Sequence, residues 1–201
     1  MSGLTQVSLF LQVAVQMGTP ILFGTLGGIL CEKSGNINLG VEGMMLMGAV
    51  FGFMTALHTG NPFLTIAVAG LAGAFGALIY AVITVTLRGN HTVTGLALTI
   101  FGVGFGKFFG EYYRVKAGGR LVISADLDHL FTAKLFPDFL SNIPIIGKLF
   151  FSYNFMIYLS IIIAIAMAWM LNRSRVGLNL RSVGEDPATA DAAGINVTRY
   201  K

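Results

Sequence analysis

The chain of 201 residues is 55% hydrophobic and only 11% charged, with a formal net charge of +4 and a mean hydropathy of +0.76. Soluble domains carry about 25% charged residues, so this composition excludes an ordinary water-soluble domain and places the chain in the membrane class. The basic residues are scattered between apolar runs, which excludes a nucleic-acid patch, and the single Cys31 excludes an internal disulfide or a cysteine-based metal cluster.

In chain order, the start Met1–Gln6 lacks a basic n-region, and Gln12 and Gln16 interrupt the run that follows, so no cleaved signal peptide is expected. Five segments then reach the roughly 20 residues needed to cross a bilayer. They are Val7–Cys31 (broken at Gly18-Thr19-Pro20), Leu39–Leu57, Phe63–Leu87, Val93–Gly110 and Phe155–Leu171. The expected architecture is all-α: a polytopic transmembrane bundle of about five spanning helices, a broken or re-entrant segment, and a short cytoplasmic helix. Residues 1–201 form one transmembrane domain, with an extracytoplasmic region at 111–154 and a cytoplasmic segment at 173–201. Arg88 in one short link, and Arg173, Arg175 and Arg181 after the fifth span, set both regions in the cytoplasm and the N-terminus outside. Within the outer region, Leu127–Leu140 is expected to form an interfacial helix ending near Pro137. Ile143–Phe151 is too short to span and is expected to be re-entrant or superficial. Small residues mark helix contacts: Gly24 with Gly28, then Ala69, Gly73 and Ala77, then Gly102, Gly106 and Gly110.

Motifs of soluble catalysis are missing from the sequence: there is no HExxH, CxxC or GxSxG. GVGFGKF at 102–108 lacks the Ser or Thr that a phosphate loop needs after its lysine, and it lies in a span. His58, His91 and His129 fall on separate segments, so no metal site and no cofactor is expected. Two stretches remain. The first is EKSGNINLGVEG at 32–43, whose glycines and asparagines suggest a broken helix lining a polar pathway. Asn36, Asn38 and Glu42 are the candidate pathway residues, because a hydroxyl-rich solute needs hydrogen-bonding partners and Glu42 is ionisable just inside an apolar run. The plainer alternative is that Asn38 caps the second helix and Glu42 favours its positive end. Lys107, with Glu111 one turn on as a partner, reads as a cation reaching the outer surface.

The second stretch is the polar tail Arg173–Lys201, which holds five of the thirteen basic residues. Asp186 suits a helix cap, Pro187 the first helical position and Gly194 a left-handed end. The six residues between, ATADAA, make a helix too short to stand alone and small enough to approach another protein closely.

Together, SGNINLGVEGMMLMGA at 34–49 and RSVGEDPATADAAGINV at 181–197 resemble the permease subunits of bacterial ABC importers for nucleosides and simple sugars. These belong to the branched-chain amino acid/ribose-type inner-membrane permeases, and the likeness covers essentially the whole chain. The resemblance implies a multi-pass protein of the bacterial inner membrane that forms the translocation path and breaks no covalent bond. It implies ATP-binding-cassette ATPase subunits as partners, a second permease subunit (a second copy or a related chain), and an extracytoplasmic substrate-binding lipoprotein. By the same likeness, Gly184, Glu185, Pro187, Ala190, Ala193 and Gly194 form the ATPase contact. Family members run on through further spans after this loop, so a truncated product or fragment is expected. Two other readings stand beside this one. An ion-coupled secondary transporter of a small polar solute also uses broken helices and intramembrane charges, and in a purely structural membrane subunit the polar residues only cap helices.

Overall fold

The computed structural model describes residues 3–119, 121–137 and 147–201. Five helices in it are long and apolar enough to cross a membrane. They are α1 (Gly3–Lys33), α2 (Val41–Thr59), α3 (Pro62–Ala81, prolonged by a π-helical turn Val82–Thr86), α4 (His91–Lys116) and α6 (Phe155–Arg173). The short α5 (Ala125–Thr132) and a π-helical turn Gly147–Phe151 lie between the last two, and α7 (Arg175–Glu185), α8 (Pro187–Ala192) and α9 (Val197–Tyr200) follow. No strand occurs among the described residues. The interfacial helix expected over 127–140 is α5, eight residues long and begun earlier; the end of that stretch and the first part of 143–151 lie outside the described residues.

α1 does not break at Gly18-Thr19-Pro20 as the sequence suggested; it runs through Pro20 as one helix. Unfolding a turn in hydrocarbon would orphan several backbone groups, whereas a proline removes only one hydrogen bond. Thr19 donates its hydroxyl to the Val15 carbonyl across the same turn at 2.9 Å.

Glycines set the packing of α2, which lies against both α3 and α4. A Cβ on Gly43 would stand 2.7 Å from the Thr99 Cα, and one on Gly102 would stand 2.5 Å from the Gly43 Cα. The two backbones thus cross at a spacing only glycine permits. Farther along, a Cβ on Gly48 would lie 2.9 Å from the Ala69 carbonyl oxygen, and one on Gly52 would lie 2.8 Å from the Ala69 Cβ. The expected small-residue faces are shifted in part. Gly76, not Ala77, continues the buried α3 face, and a Cβ there would stand 3.1 Å from the Met44 side chain. On α4 the buried set is Gly95, Gly102 and Gly106, while Gly110 has open space beside it. On α1, Gly24 meets Met45 and Gly28 meets nothing within 4 Å. Met44, Tyr80 and Leu98 close the core between α2, α3 and α4.

The elements sort to two ends. At one end Gln12 of α1 donates to the Ser152 carbonyl at 3.3 Å, Asn154 to the Phe131 carbonyl at 2.8 Å, and the Leu135 amide to the Tyr153 carbonyl at 2.9 Å. At the other end lie the α1–α2 link, the α3–α4 link with Arg88, and all of residues 174–201. Arg88 and α8 line one groove.

Candidate functional site

The α1–α2 link, residues 34–40, is where this second end is assembled. α1 ends as its composition requires: Gly35 takes a left-handed conformation (φ +83°). Its amide donates to the Glu32 carbonyl at 3.0 Å and the Asn36 amide to the Cys31 carbonyl at 2.9 Å, which satisfies the orphaned end of the helix. The link is irregular backbone rather than a half-helix. Its carbonyls are met by side chains from other spans: Tyr80 of α3 donates to Ile37 at 2.9 Å, and Thr99 of α4 donates to Leu39 at 2.5 Å. Gly95 of α4 lets the chain approach so closely that a Cβ there would stand 2.6 Å from the Leu39 nitrogen.

α7 completes this hub. Gly184 lies on the end of α1, where a Cβ would overlap the Lys33 carbonyl oxygen and stand 3.1 Å from the Gly35 nitrogen. Just before it, Val183 is fully buried. The two motifs read separately in the sequence, 34–49 and 181–197, therefore touch through backbone.

Asn36 is 3% exposed. Its amide donates to the Ser34 hydroxyl at 3.0 Å and, more distantly, to the Lys201 carbonyl at 3.5 Å, while its Oδ1 has no hydrogen-bond partner among the described residues. Asn38 accepts from the Gly40 amide at 2.8 Å and donates to the Cys31 sulfur at 3.8 Å. It shapes the turn into α2, whose N-cap is Gly40 with no side-chain bond, so Asn38 is not the cap itself. Glu42 stands in the first turn of α2, exposed, on an open groove of about 700 Å³ between α1 and α2 with Gly24, Thr25 and Met45. Lys107 is exposed, and Glu111 does not pair with it: Arg114 takes that carboxylate at 2.6 Å. The i,i+3 spacing gives the arginine fork a two-bonded fit there. The histidines form no cluster with other potential ligands among the described residues.

α8 has the expected punctuation. Asp186 accepts from the Ala188 and Thr189 amides at 3.0 and 3.2 Å and from the Thr189 hydroxyl at 2.5 Å. These donors, the hydroxyl first, hold the Asp186 carboxyl below the usual carboxylate range. Pro187 occupies the first turn, and Gly194 closes the helix at φ +82°, its amide donating to Asp191 at 2.9 Å. The six residues singled out in this region divide. Glu185, Pro187, Ala193 and Gly194 are exposed, Ala190 is 3% exposed, and Gly184 is committed to the α1 contact.

Two sets of residues escaped the sequence reading. Tyr80 and Thr99 hold the link, although within their spans they look like ordinary amphipathic residues. Gln16, read as an interruption of an apolar run, lines a cavity of about 320 Å³ with Thr19, Thr132 and Asn154 at the opposite end. Spacing of polar residues along α1 was the available signal for it.

Spanning helices, glycine-mediated crossings and a capped polar helix at one end define a polytopic membrane protein. The family model described as branched-chain amino acid transport system / permease component matches residues 9–201, and the chain belongs to that family. It is 37% identical over 190 residues to the nucleoside ABC transporter permease protein NupC of Lactococcus lactis subsp. cremoris, covering 91% of this chain and 58% of the relative. It is 32% identical over 205 residues to the guanosine ABC transporter permease protein NupQ of Bacillus subtilis, covering 97% of this chain and 61% of that protein. The chain thus spans about three fifths of the length of these relatives. No solved structure matches it.

Proposed function

We propose that the chain is the membrane-spanning part of a permease subunit of an ATP-binding-cassette importer, and that its solute is a purine or pyrimidine nucleoside, with a pentose or hexose as the second choice. The names carried by the lactococcal and Bacillus relatives support the nucleoside. α8 carries the reading: a short, capped, small-faced helix too weak to stand alone, presented at the end where Arg88 and the arginines after α6 lie. On this reading that end is cytoplasmic. Glu185, Pro187, Ala193 and Gly194 meet an ATPase subunit, while the buried Ala190 lets α8 sit against its own chain and Gly184 anchors it to α1. A second permease subunit closes the path, and an extracytoplasmic binding lipoprotein delivers the solute.

The mechanism is mechanical. ATP binding draws the ATPase subunits together and displaces α8. The Gly184–Gly35 contact passes that displacement to the 34–40 link, and through Tyr80, Thr99 and the Gly43–Gly102 crossing to α2, α3 and α4 as rigid bodies. Glu42 is the pathway group on this reading. A carboxylate at a lipid face is costly, so its groove faces the second subunit or the path. Asn36 and Asn38 stand behind it and shape the link.

Ala193→Arg tests the docking. Its site is exposed, so the permease is expected to keep its thermal stability and lose the ATPase subunit on co-purification from membranes. Retention of the ATPase at the wild-type level would overturn the assignment of α8.

A further inference from the structure

Arg88 occupies a left-handed backbone position that favours glycine. The π-helical turn that ends α3 closes with the Leu87 amide on the Val82 carbonyl at 3.0 Å and the Gly89 amide on the Ile83 carbonyl at 2.8 Å. Arg88, between them, is left-handed at φ +53°, the only non-glycine residue with positive φ among the described residues. That conformation strains an L side chain and leaves glycine unstrained. The local fold would therefore be at least as well served by a glycine at this position, and the arginine side chain needs a reason of its own.

Its surroundings supply one. Arg88 is exposed and makes no hydrogen bond or ion pair among the described residues. It forms one wall of an open groove of about 670 Å³, whose other wall is α8 and the turn after it, with Pro187, Ala188, Asp191, Asn196 and Thr198. Residues 32–42, 87–90 and 173–201 together carry seven cations and five carboxylates, so this end presents a net positive surface that favours an acidic partner.

We propose that Arg88 is a second docking point for the ATPase subunit, and that it receives a carboxylate of that partner in the groove between the α3–α4 link and α8. The proposal rests on the reading of α8 as the docking helix and adds the α3–α4 link as the second wall of the seat. Displacement of the partner then reaches the end of α3 directly as well as through Gly184.

The experiment compares R88G, R88K and A193R in the permease expressed with its ATPase subunit, measuring ATPase affinity and thermal unfolding in vesicles of phosphatidylcholine and of phosphatidylglycerol. R88G is expected to unfold at or above the wild-type temperature and to bind the ATPase about tenfold more weakly in both lipids, with the difference shrinking at high salt. R88K is expected to keep most of the affinity. R88G binding like wild type while A193R does not would remove Arg88 from the seat and leave α8 in place. Wild-type binding by both variants would overturn the docking reading and this proposal with it. A loss confined to phosphatidylglycerol vesicles would assign the guanidinium to an anionic lipid headgroup and overturn the proposal.

Discussion

Gly35 and Gly184 meet backbone to backbone: a Cβ on Gly35 would stand 3.3 Å from the Gly184 Cα, and one on Gly184 would overlap the Lys33 carbonyl. The contact joins the end of α1 to the segment that carries α8; Gly184 has no room for a Cβ, and Gly35 is both tight and left-handed at φ +83°. Gly184→Ala is therefore expected to lower stability by about 1–3 kcal/mol, the usual cost of overpacking a site whose neighbours are main chain. Gly35→Ala adds a left-handed penalty of roughly 1–2 kcal/mol. Thermal unfolding in detergent checks both, and an unchanged midpoint for Gly184→Ala would show that α7 is free of α1.

The α2–α4 crossing makes an internal comparison within one helix. Gly102→Ala is expected to reduce folded yield sharply, because its Cβ would fall on the Gly43 backbone, whereas Gly110→Ala, with nothing within 4 Å, is expected to be neutral. Equal yields of monodisperse protein for the two would count against the crossing.

Tyr80 tests the tethering of the link. Tyr80→Phe keeps the ring in the Met44–Leu98 core and removes only the bond to the Ile37 carbonyl, a change expected to cost about 1 kcal/mol. Faster amide exchange confined to residues 34–40 and their neighbours is the expected signature. Uniform acceleration across α3 would instead mean that the ring, not the hydroxyl, matters.

The Asp186 cap has a defined pH window. Its carboxyl is lowered in the folded chain by the Thr189 hydroxyl and the Thr189 and Ala188 amides, from an unfolded value near 3.9, about the usual aspartate figure. A depressed carboxylate contributes stability above its unfolded pKa and loses it as pH falls through the folded one. Amide protection in 188–192 is thus expected to be flat from pH 8 to about 5 and to fall below about 4. Asp186→Ala should show low protection at every pH. Protection that falls already near pH 6.5 would point to a histidine instead.

Much of this was legible in the residues because the signals were local. Span length needs only a run of apolar side chains, and the punctuation of α8 needs only Asp186, Pro187 and Gly194 in order. What escaped depends on phase or distance. Spans apolar nearly all round give no register, so Gly76 and Ala77 were indistinguishable until α2 was seen against α3. Pro20 reads as a breaker by water-soluble rules, which hydrocarbon overrides. Glu111 had acceptable partners at Lys107 and Arg114, and only the side-chain geometry selected the second. The meeting of Gly35 with Gly184 brings together residues at opposite ends of the sequence, and nothing in either stretch announces the other.

The central claim, that this chain serves ATP-driven nucleoside import, is tested most directly by radiolabelled nucleoside uptake in cells carrying the permease with its neighbouring genes. ATP depletion and a protonophore are applied separately. Loss of uptake on ATP depletion, with uptake preserved when the proton gradient is collapsed at constant ATP, is the predicted result. Uptake that collapses with the gradient while ATP is held constant would contradict the account and turn attention to Glu42 as the coupling group of a secondary transporter.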